Sequence, residues 1–325
     1  MMKLVICSPR GRMVMKMTVT DRFKILSATT KHLIVVCGPT ASGKTSLSIA
    51  LAGYFKTEII SFDARQFYAG MSIGTAKPGE AELNLVKHYF IGHKQITETY
   101  ASGQFARDAD LKASELFTHY DVVVAVGGSG QYMDAWLYGL NEFPPVPDDI
   151  KTYVNDIYAH EGLEGLQQHL LAKDPVYYAI VDLKNPRRLT RALEVCFSSQ
   201  KPYSAYLNRP DKTHKFQITL IGIDLPRALL YKRINQRVEH MIASGLEQEV
   251  KSLLEYRHTQ ALQTIGYSEW FEYYDGRRTI EETVQAIQQH SRNYAKRQLT
   301  WFRRYENVLW SDSTEFNTIK KLLPV

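Results

Sequence analysis

"GPTASGKT", residues 38–45, follows the apolar run Leu33-Ile34-Val35-Val36-Cys37 and precedes Ser46-Leu47-Ser48-Ile49-Ala50-Leu51-Ala52. A strand, a glycine-rich loop and a helix in that order wrap backbone around an anion. Gly38 and Gly43 allow the tight turn, and the N–H groups opening the helix point into it. The stretch Gly38, Pro39, Thr40, Ala41, Ser42, Gly43, Lys44 and Thr45 therefore reads as a phosphate cradle. Lys44 supplies a mobile charge, and the Thr45 hydroxyl suits the Mg²⁺ that accompanies a polyphosphate. The pattern leaves open whether the phosphate is the group transferred or the group left behind.

Outward from the cradle, strand and helix alternate. Residues 33–37 read as strand, 44–54 as helix, 58–62 as strand, 102–117 as helix and 122–126 as strand ending in Gly127-Gly128. Short β-branched runs separated by helical stretches predict a parallel sheet covered on both faces, an α/β class. At "NEFPPVPDD" the texture changes: Pro144, Pro145 and Pro147 mark a boundary, and helical patterns alone follow to about Leu207. "FQITLIGIDLP", residues 216–226, restores strand character, and helices are expected over 226–241, 246–256, 267–274 and 280–304. The organisation expected is a P-loop α/β core over 31–143 and 208–325, the second part mostly helical, interrupted by a helical insert over 144–207. Residues 1–30, with Arg10, Arg12, Lys16, Arg22 and Lys24 against Asp21, read as a loose basic tail, although a transit-like arm has a similar composition.

Composition narrows the class without naming a function. Hydrophobic content of 44% and charged content of 23% fit a soluble globular protein, and no run approaches the ~18 apolar residues of a membrane span. Three dispersed cysteines, Cys7, Cys37 and Cys196, form neither a disulfide framework nor a zinc motif, which suits the cytoplasm. The net charge of +6 is a mild hint of a polyanionic partner.

A motor-type ATPase needs a second strand ending in a Mg²⁺-holding carboxylate. Here "DVVVAVGGSG" ends in glycines and Ser129, with Asp121 at the wrong end, which argues against that class. A carboxylate instead closes the second strand, Asp63 in "EIISFDARQFY". In an open parallel sheet ligands bind at the carboxyl ends of the strands, so Asp63 should lie near the cradle, where it can take a proton from a nucleophile. A strand-end aspartate that merely caps the next turn has the same spacing.

The motifs "GPTASGKTSLSIALA", "ISFDARQFYAGMSIGTAKP", "VGGSGQYMDAWLYGL", "NPRRLTRALEV", "QRVEHMIASGLEQEV", "TIGYSEW" and "AKRQLTWFRR", in this order over residues 33–310, resemble those of the tRNA dimethylallyltransferases. The resemblance implies that the cradle holds the leaving group. Such an enzyme transfers the five-carbon unit of dimethylallyl diphosphate to N6 of adenine 37, beside the anticodon of tRNAs reading codons that begin with U, and releases diphosphate. It also implies residue roles. Asp63 matches the general base, while Lys44, Thr40, Thr45 and the loop N–H groups from Ala41 to Lys44 match the diphosphate site. An arginine after the insert completes it. Of Arg233 and Arg237, four apart on one helical face, Arg237 is favoured, although a solvent-facing pair fits the same spacing. Asp63, Ala64, Arg65, Gln66, Ser129, Lys151, the stretch Arg187, Arg188, Leu189, Thr190, Arg191 and the segment Gln263, Thr264, Ile265, Gly266, Tyr267, Ser268 match positions that contact the tRNA anticodon stem-loop.

Physical reasoning adds to the match at "NPRRLTR". Asn185 caps and Pro186 opens a helix whose first two turns then carry three arginines, where the helix dipole disfavours cations by about 0.3–1 kcal/mol each. Cations in an unfavourable place suggest an anionic partner. In the last long helix Thr279 and Glu282 form a capping box, Ile280, Val284, Ile287, Tyr294 and Phe302 form the expected core stripe, and Arg292, Lys296 and Arg303 group beside it. Ala64 and Ser129 depart from the family's usual serine and threonine, and no cysteine-rich finger follows Val325, so a bacterial-type, monomeric enzyme is expected. Two alternatives use the same cradle: an adenylate isopentenyltransferase acting on free AMP, ADP or ATP, and a P-loop small-molecule kinase.

Overall fold

The computed structural model describes residues 31–208 and 211–323; the tail reading for 1–30 lies outside the described residues. These residues divide into two compact units, one of 31–136 and 214–323 and one of 137–213.

The first unit is built on β1 (His32–Cys37), α1 (Lys44–Phe55), β2 (Ile59–Ser61), α2 (Glu80–Leu85), β3 (His88–Tyr89), α3 (Ser102–Leu116), β4 (Val122–Gly127) and α4 (Gly130–Tyr138), the last running into the other unit. The six-stranded sheet has the order β3-β2-β4-β1 followed by β5 (Gln217–Ile223) and β6 (Val308–Ser311), and every pair is parallel. All six residues of β1 are buried, as expected for a central strand covered on both faces. Its apolar side chains Ile34 and Val36 pack with Leu47 and Leu51 of α1 and with Ile221 and Ile223 of β5. The fold class expected from the alternation is the one observed.

The second unit holds α5 (Asp148–Lys173), α6 (Pro175–Tyr178) and α7 (Pro186–Ser199). Val154, Ile157, Leu166 and Leu170 of α5 meet Leu189, Ala192 and Leu193 of α7 in its core. Asp174, almost fully buried, caps α6 by accepting from Tyr177 N (2.9 Å), and takes Ser204 N (2.6 Å) on its other oxygen. Asn185 caps α7 through Arg188 N (3.3 Å), with Pro186 in the first turn.

The chain returns to the first unit for β5 and then α8 (Arg227–Ala243), α9 (Leu246–Ser252), α10 (Ser268–Tyr274), α11 (Ile280–Phe302), β6 and α12 (Phe316–Lys320). The helix expected over 246–256 stops at Ser252, and a short 3₁₀ turn follows at Leu254–Tyr256. On α11 the capping box forms, with Glu282 N donating to Thr279 Oγ1 at 3.2 Å and Thr279 N to Glu282 Oε2 at 2.8 Å. The buried face differs from the expected stripe: it is Thr283, Ala286, Ile287, Ala295, Gln298 and Phe302, while Ile280 is exposed.

Candidate active site

The strand order puts β4 between β1 and β2. The cradle after β1 and Asp63 after β2 therefore flank the carboxyl end of β4, where ligands of open α/β sheets bind. A cavity of about 760 Å³ opens there. Thr40, Ala41, Lys44 and Thr45 line one side, Asp63, Ala64, Arg65 and Gln66 another, and Ser129 the floor between. Helix α8 adds Ile234, Arg237, Val238 and Met241; α11 adds Ile287, His290, Tyr294 and Gln298; the loop before α10 adds Gln263, Thr264, Ile265 and Gly266, and Ser268 follows.

The residue just past β4 is glycine because of what crosses the tip of the strand. A Cβ on Gly128 would lie 2.2 Å from Gln298 Nε2. That side chain donates to Gly128 O (2.8 Å) and accepts from Thr40 N (2.8 Å), so α11 ties the cradle to the sheet. Gln298 lies inside the quoted "AKRQLTWFRR" stretch, but apolar periodicity excludes a polar residue from a buried face, and nothing else in the sequence marks it as a tether.

Within the cradle Gly43 is left-handed (φ 92°) and sits just before α1. Lys44 Nζ donates to Pro39 O at 2.6 Å. Burial pushes the Lys44 pKa down to about 8, against the pull of Asp63 and with a further push from Arg237. Arg237 donates from Nη1 to Thr40 Oγ1 (3.0 Å) and from Nη2 to Thr75 O (3.4 Å), and burial lowers its pKa too, opposed by Asp63. Its Nε and the Ser42 Oγ are buried polar atoms without a protein partner among the described residues. A buried cationic pocket of this kind is stabilised by an anion. A second recess, of about 390 Å³, continues past Ser42 and Gly43 to Lys77 and Arg233.

Opposite the cradle, Asp63 accepts from Arg65 N (3.1 Å) through Oδ1. The Ser129 hydroxyl accepts from Ala64 N (2.9 Å). Burial, with the nearby Asp63 charge, pushes the Tyr294 pKa up to about 12, so it is a neutral phenol on the cavity wall. Sequence periodicity counts Tyr294 as core; its hydroxyl faces the carboxylate side of the site instead.

Several expected tRNA contacts are engaged within the protein. Arg65 Nη1 bonds the Gln260 and Ala261 carbonyls (3.0 and 3.3 Å), and Gln66 Nε2 the Thr75 and Ala76 carbonyls (3.2 and 3.0 Å). Tyr267 is fully buried and its hydroxyl donates to Glu249 Oε1 (2.7 Å), so its side chain supports the loop from behind. Leu189 is likewise core of the second unit. In that unit Lys151, Arg187, Arg188 and Arg191 are exposed and Thr190 half-buried; Lys151 pairs with Asp148 (2.8 Å) and Arg191 with Glu194 (3.2 Å). On α11, Arg292 bonds Asn235 (2.7 Å), and Arg303, exposed just past the end of the helix, pairs with Asp224 (2.5 Å). The loop before α10 has its own anchor: Glu269, buried, accepts from Gly266 N (2.8 Å) and pairs with His290 (2.6 Å).

The family model described as IPP transferase matches residues 66–305. The chain belongs to the IPP transferase family. The tRNA dimethylallyltransferase of Flavobacterium johnsoniae is 47% identical to it over 296 residues, covering 89% of this chain and 96% of that protein. That of Christiangramia forsetii is 44% identical, covering 87% and 94%. Among solved structures, the full-length tRNA isopentenylpyrophosphate transferase of Bacillus halodurans superposes with a TM-score of 0.66 at 34% identity, over 90% of this chain and 94% of that one. A eukaryotic dimethylallyltransferase acting on tRNA gives a TM-score of 0.71 at 26% identity, over 84% and 70%.

Among the described residues no cluster of three or more His, Cys, Asp or Glu is arranged to hold a metal ion. Mg²⁺ commonly binds through one or two protein oxygens plus substrate phosphates, and the Thr45 hydroxyl on the cavity wall fits that mode.

Proposed function

We propose that this protein transfers the dimethylallyl group of dimethylallyl diphosphate to N6 of adenine 37, beside the anticodon of tRNAs reading codons that begin with U, and releases diphosphate in the cytoplasm. The observation that carries this reading is a buried cationic cradle and a strand-end carboxylate facing one cavity. Ile234, Val238 and Met241 on the wall of that cavity suit a five-carbon chain, which a kinase would not need to hold.

The allylic carbon is attacked by N6 as its bond to the diphosphate oxygen breaks, and the electron pair of that bond leaves with diphosphate. Lys44, Arg237, the Thr40 hydroxyl and the N–H groups opening α1 neutralise the charge that grows on the leaving oxygen. Thr45 would hold Mg²⁺ beside the phosphates, and the ion would add to that neutralisation when bound. Asp63 takes the proton from the N6 amine. Ser129 and the neutral Tyr294 offer hydroxyls to the adenine side. The exposed arginines of α7 and Lys151 hold tRNA phosphates in this reading.

The test uses labelled dimethylallyl diphosphate and Mg²⁺ with anticodon stem-loops, offered beside AMP and ATP. Label is expected in stem-loops carrying three consecutive adenines after the anticodon's second base. Label in AMP or ATP alone, or loss of the ATP γ-phosphate, would overturn the reading.

A further inference from the structure

Glu249, on α9, gathers both loops flanking the cavity, and it does not line the cavity itself. Its Oε2 accepts from Ser72 N and Ile73 N (2.8 Å each), and its Oε1 from Gly74 N (2.9 Å) and the Tyr267 hydroxyl (2.7 Å). Three successive N–H groups converging on one point form an anion nest, and the carboxylate is its anion. The fit is close: a Cβ on Gly74 would lie 2.6 Å from the Tyr267 ring, so the two loops meet only because residue 74 is glycine. The loop so held then presents its carbonyls outward. Thr75 O accepts from Arg237 Nη2 (3.4 Å), and Thr75 O and Ala76 O both accept from Gln66 Nε2 (3.2 and 3.0 Å).

We propose that Glu249 is a positioning residue for the transfer reaction: without touching either substrate, its carboxylate fixes the 72–76 loop that aims Arg237 at the cradle, and through Tyr267 fixes the acceptor-side loop at 264–267. The inference rests on the diphosphate and acceptor assignments made under the proposed function. Removing the charge leaves three N–H donors and a hydroxyl converging on nothing that can accept all four. The loop must then open, and the Thr75 carbonyl moves away from Arg237.

The experiment titrates inorganic diphosphate with Mg²⁺ into the wild type and Glu249→Gln, and measures turnover and KM on a stem-loop. The amide keeps the shape of the side chain but turns an NH₂ against N–H donors. Diphosphate binding is expected to weaken about tenfold or more, the scale of one mispaired buried polar group, and the stem-loop KM to rise. Glu249→Asp, which keeps the charge, is expected to recover part of both, and it carries the test if the glutamine variant does not fold. A role in folding alone would lower the unfolding midpoint and leave the Kd of the folded fraction unchanged, which would overturn the inference. So would a fully multiplicative loss in Glu249→Gln combined with Arg237→Lys; if Glu249 acts through Arg237, the double variant binds diphosphate about as Arg237→Lys does. Because the titration contains no acceptor, it judges Glu249 independently. A wild type that labels AMP and not stem-loops would remove the tRNA assignment and leave that result standing.

Discussion

At the scale of single residues the proposed function separates a group that takes a proton from groups that take up negative charge. Asp63→Asn keeps the side-chain volume and the acceptor oxygen for Arg65 N, so dimethylallyl diphosphate should bind nearly as before while kcat falls by about 10²–10⁴, the range for a positioned general base. Single-turnover labelling checks it, and near-normal turnover would take Asp63 out of the proton transfer. Lys44 makes a second prediction because its folded pKa, about 8, lies below the ordinary 10.5. The charge that meets the diphosphate is therefore present below pH 8 and lost as pH rises through that value in the free enzyme. A bound anion raises the pKa of the ammonium it contacts, so the step belongs to kcat/KM for the prenyl donor and not to kcat. Lys44→Ala should bind the donor more weakly at every pH and lose that step. A wild-type kcat/KM that stays level from pH 7 to 9 would contradict the assignment.

At the scale of elements, α11 joins the two halves of the site, and its two ends have separable effects. Thr279→Ala removes only a cap on an exposed end, so the unfolding free energy should drop by about 0.5–2 kcal/mol with turnover unchanged. Gln298→Leu leaves Thr40 N and Gly128 O unpaired beneath the cradle, at about 1–3 kcal/mol for each buried group, and should also raise the KM for dimethylallyl diphosphate. Denaturant midpoints and donor kinetics on the same preparations distinguish them; an unaltered KM in Gln298→Leu would mean that the tether does not shape the cradle. This contrast also shows what the sequence could reveal. The cap is local, a threonine followed three residues later by glutamate, and is visible in the one-dimensional pattern. The tether joins residues 258 positions apart through a glutamine where periodicity expects leucine, and no local rule points to it. Glu249 is hidden for the same reason: its partners are backbone groups at residues 72–74. β3, two residues long, and β6, of four, are too short to establish any period.

At the scale of the whole molecule, β1, β2, β4, β5 and the cradle were legible because a parallel sheet buried on both faces needs apolar runs that only strands of that kind carry. The charges of the second unit were legible as composition, not as geometry: Leu189 and Arg188 are neighbours in sequence, yet one is core and the other exposed. Those arginines make the prediction that tests the acceptor. If Arg187, Arg188, Arg191 and Lys151 bind phosphates, each contact releases counterions from the nucleic acid, and log affinity for the stem-loop falls linearly with log salt, each lost contact reducing the slope by about 0.7–0.9. Arg191 already pairs with Glu194 and lies over the Phe143 ring at 5.6 Å, so releasing it for a phosphate forfeits existing contacts. Arg187→Ala should therefore raise the stem-loop KM and flatten its salt dependence more than Arg191→Ala does. In the proposed function dimethylallyl diphosphate meets residues of the first unit alone, so its KM should stay the same in both variants. Stem-loop kinetics across a salt series, with donor kinetics alongside, give the answer. An unchanged salt slope in Arg187→Ala would make this helix solvated surface, and a donor KM that rose with the stem-loop KM would mean that the two substrates are not read by separate sets of residues.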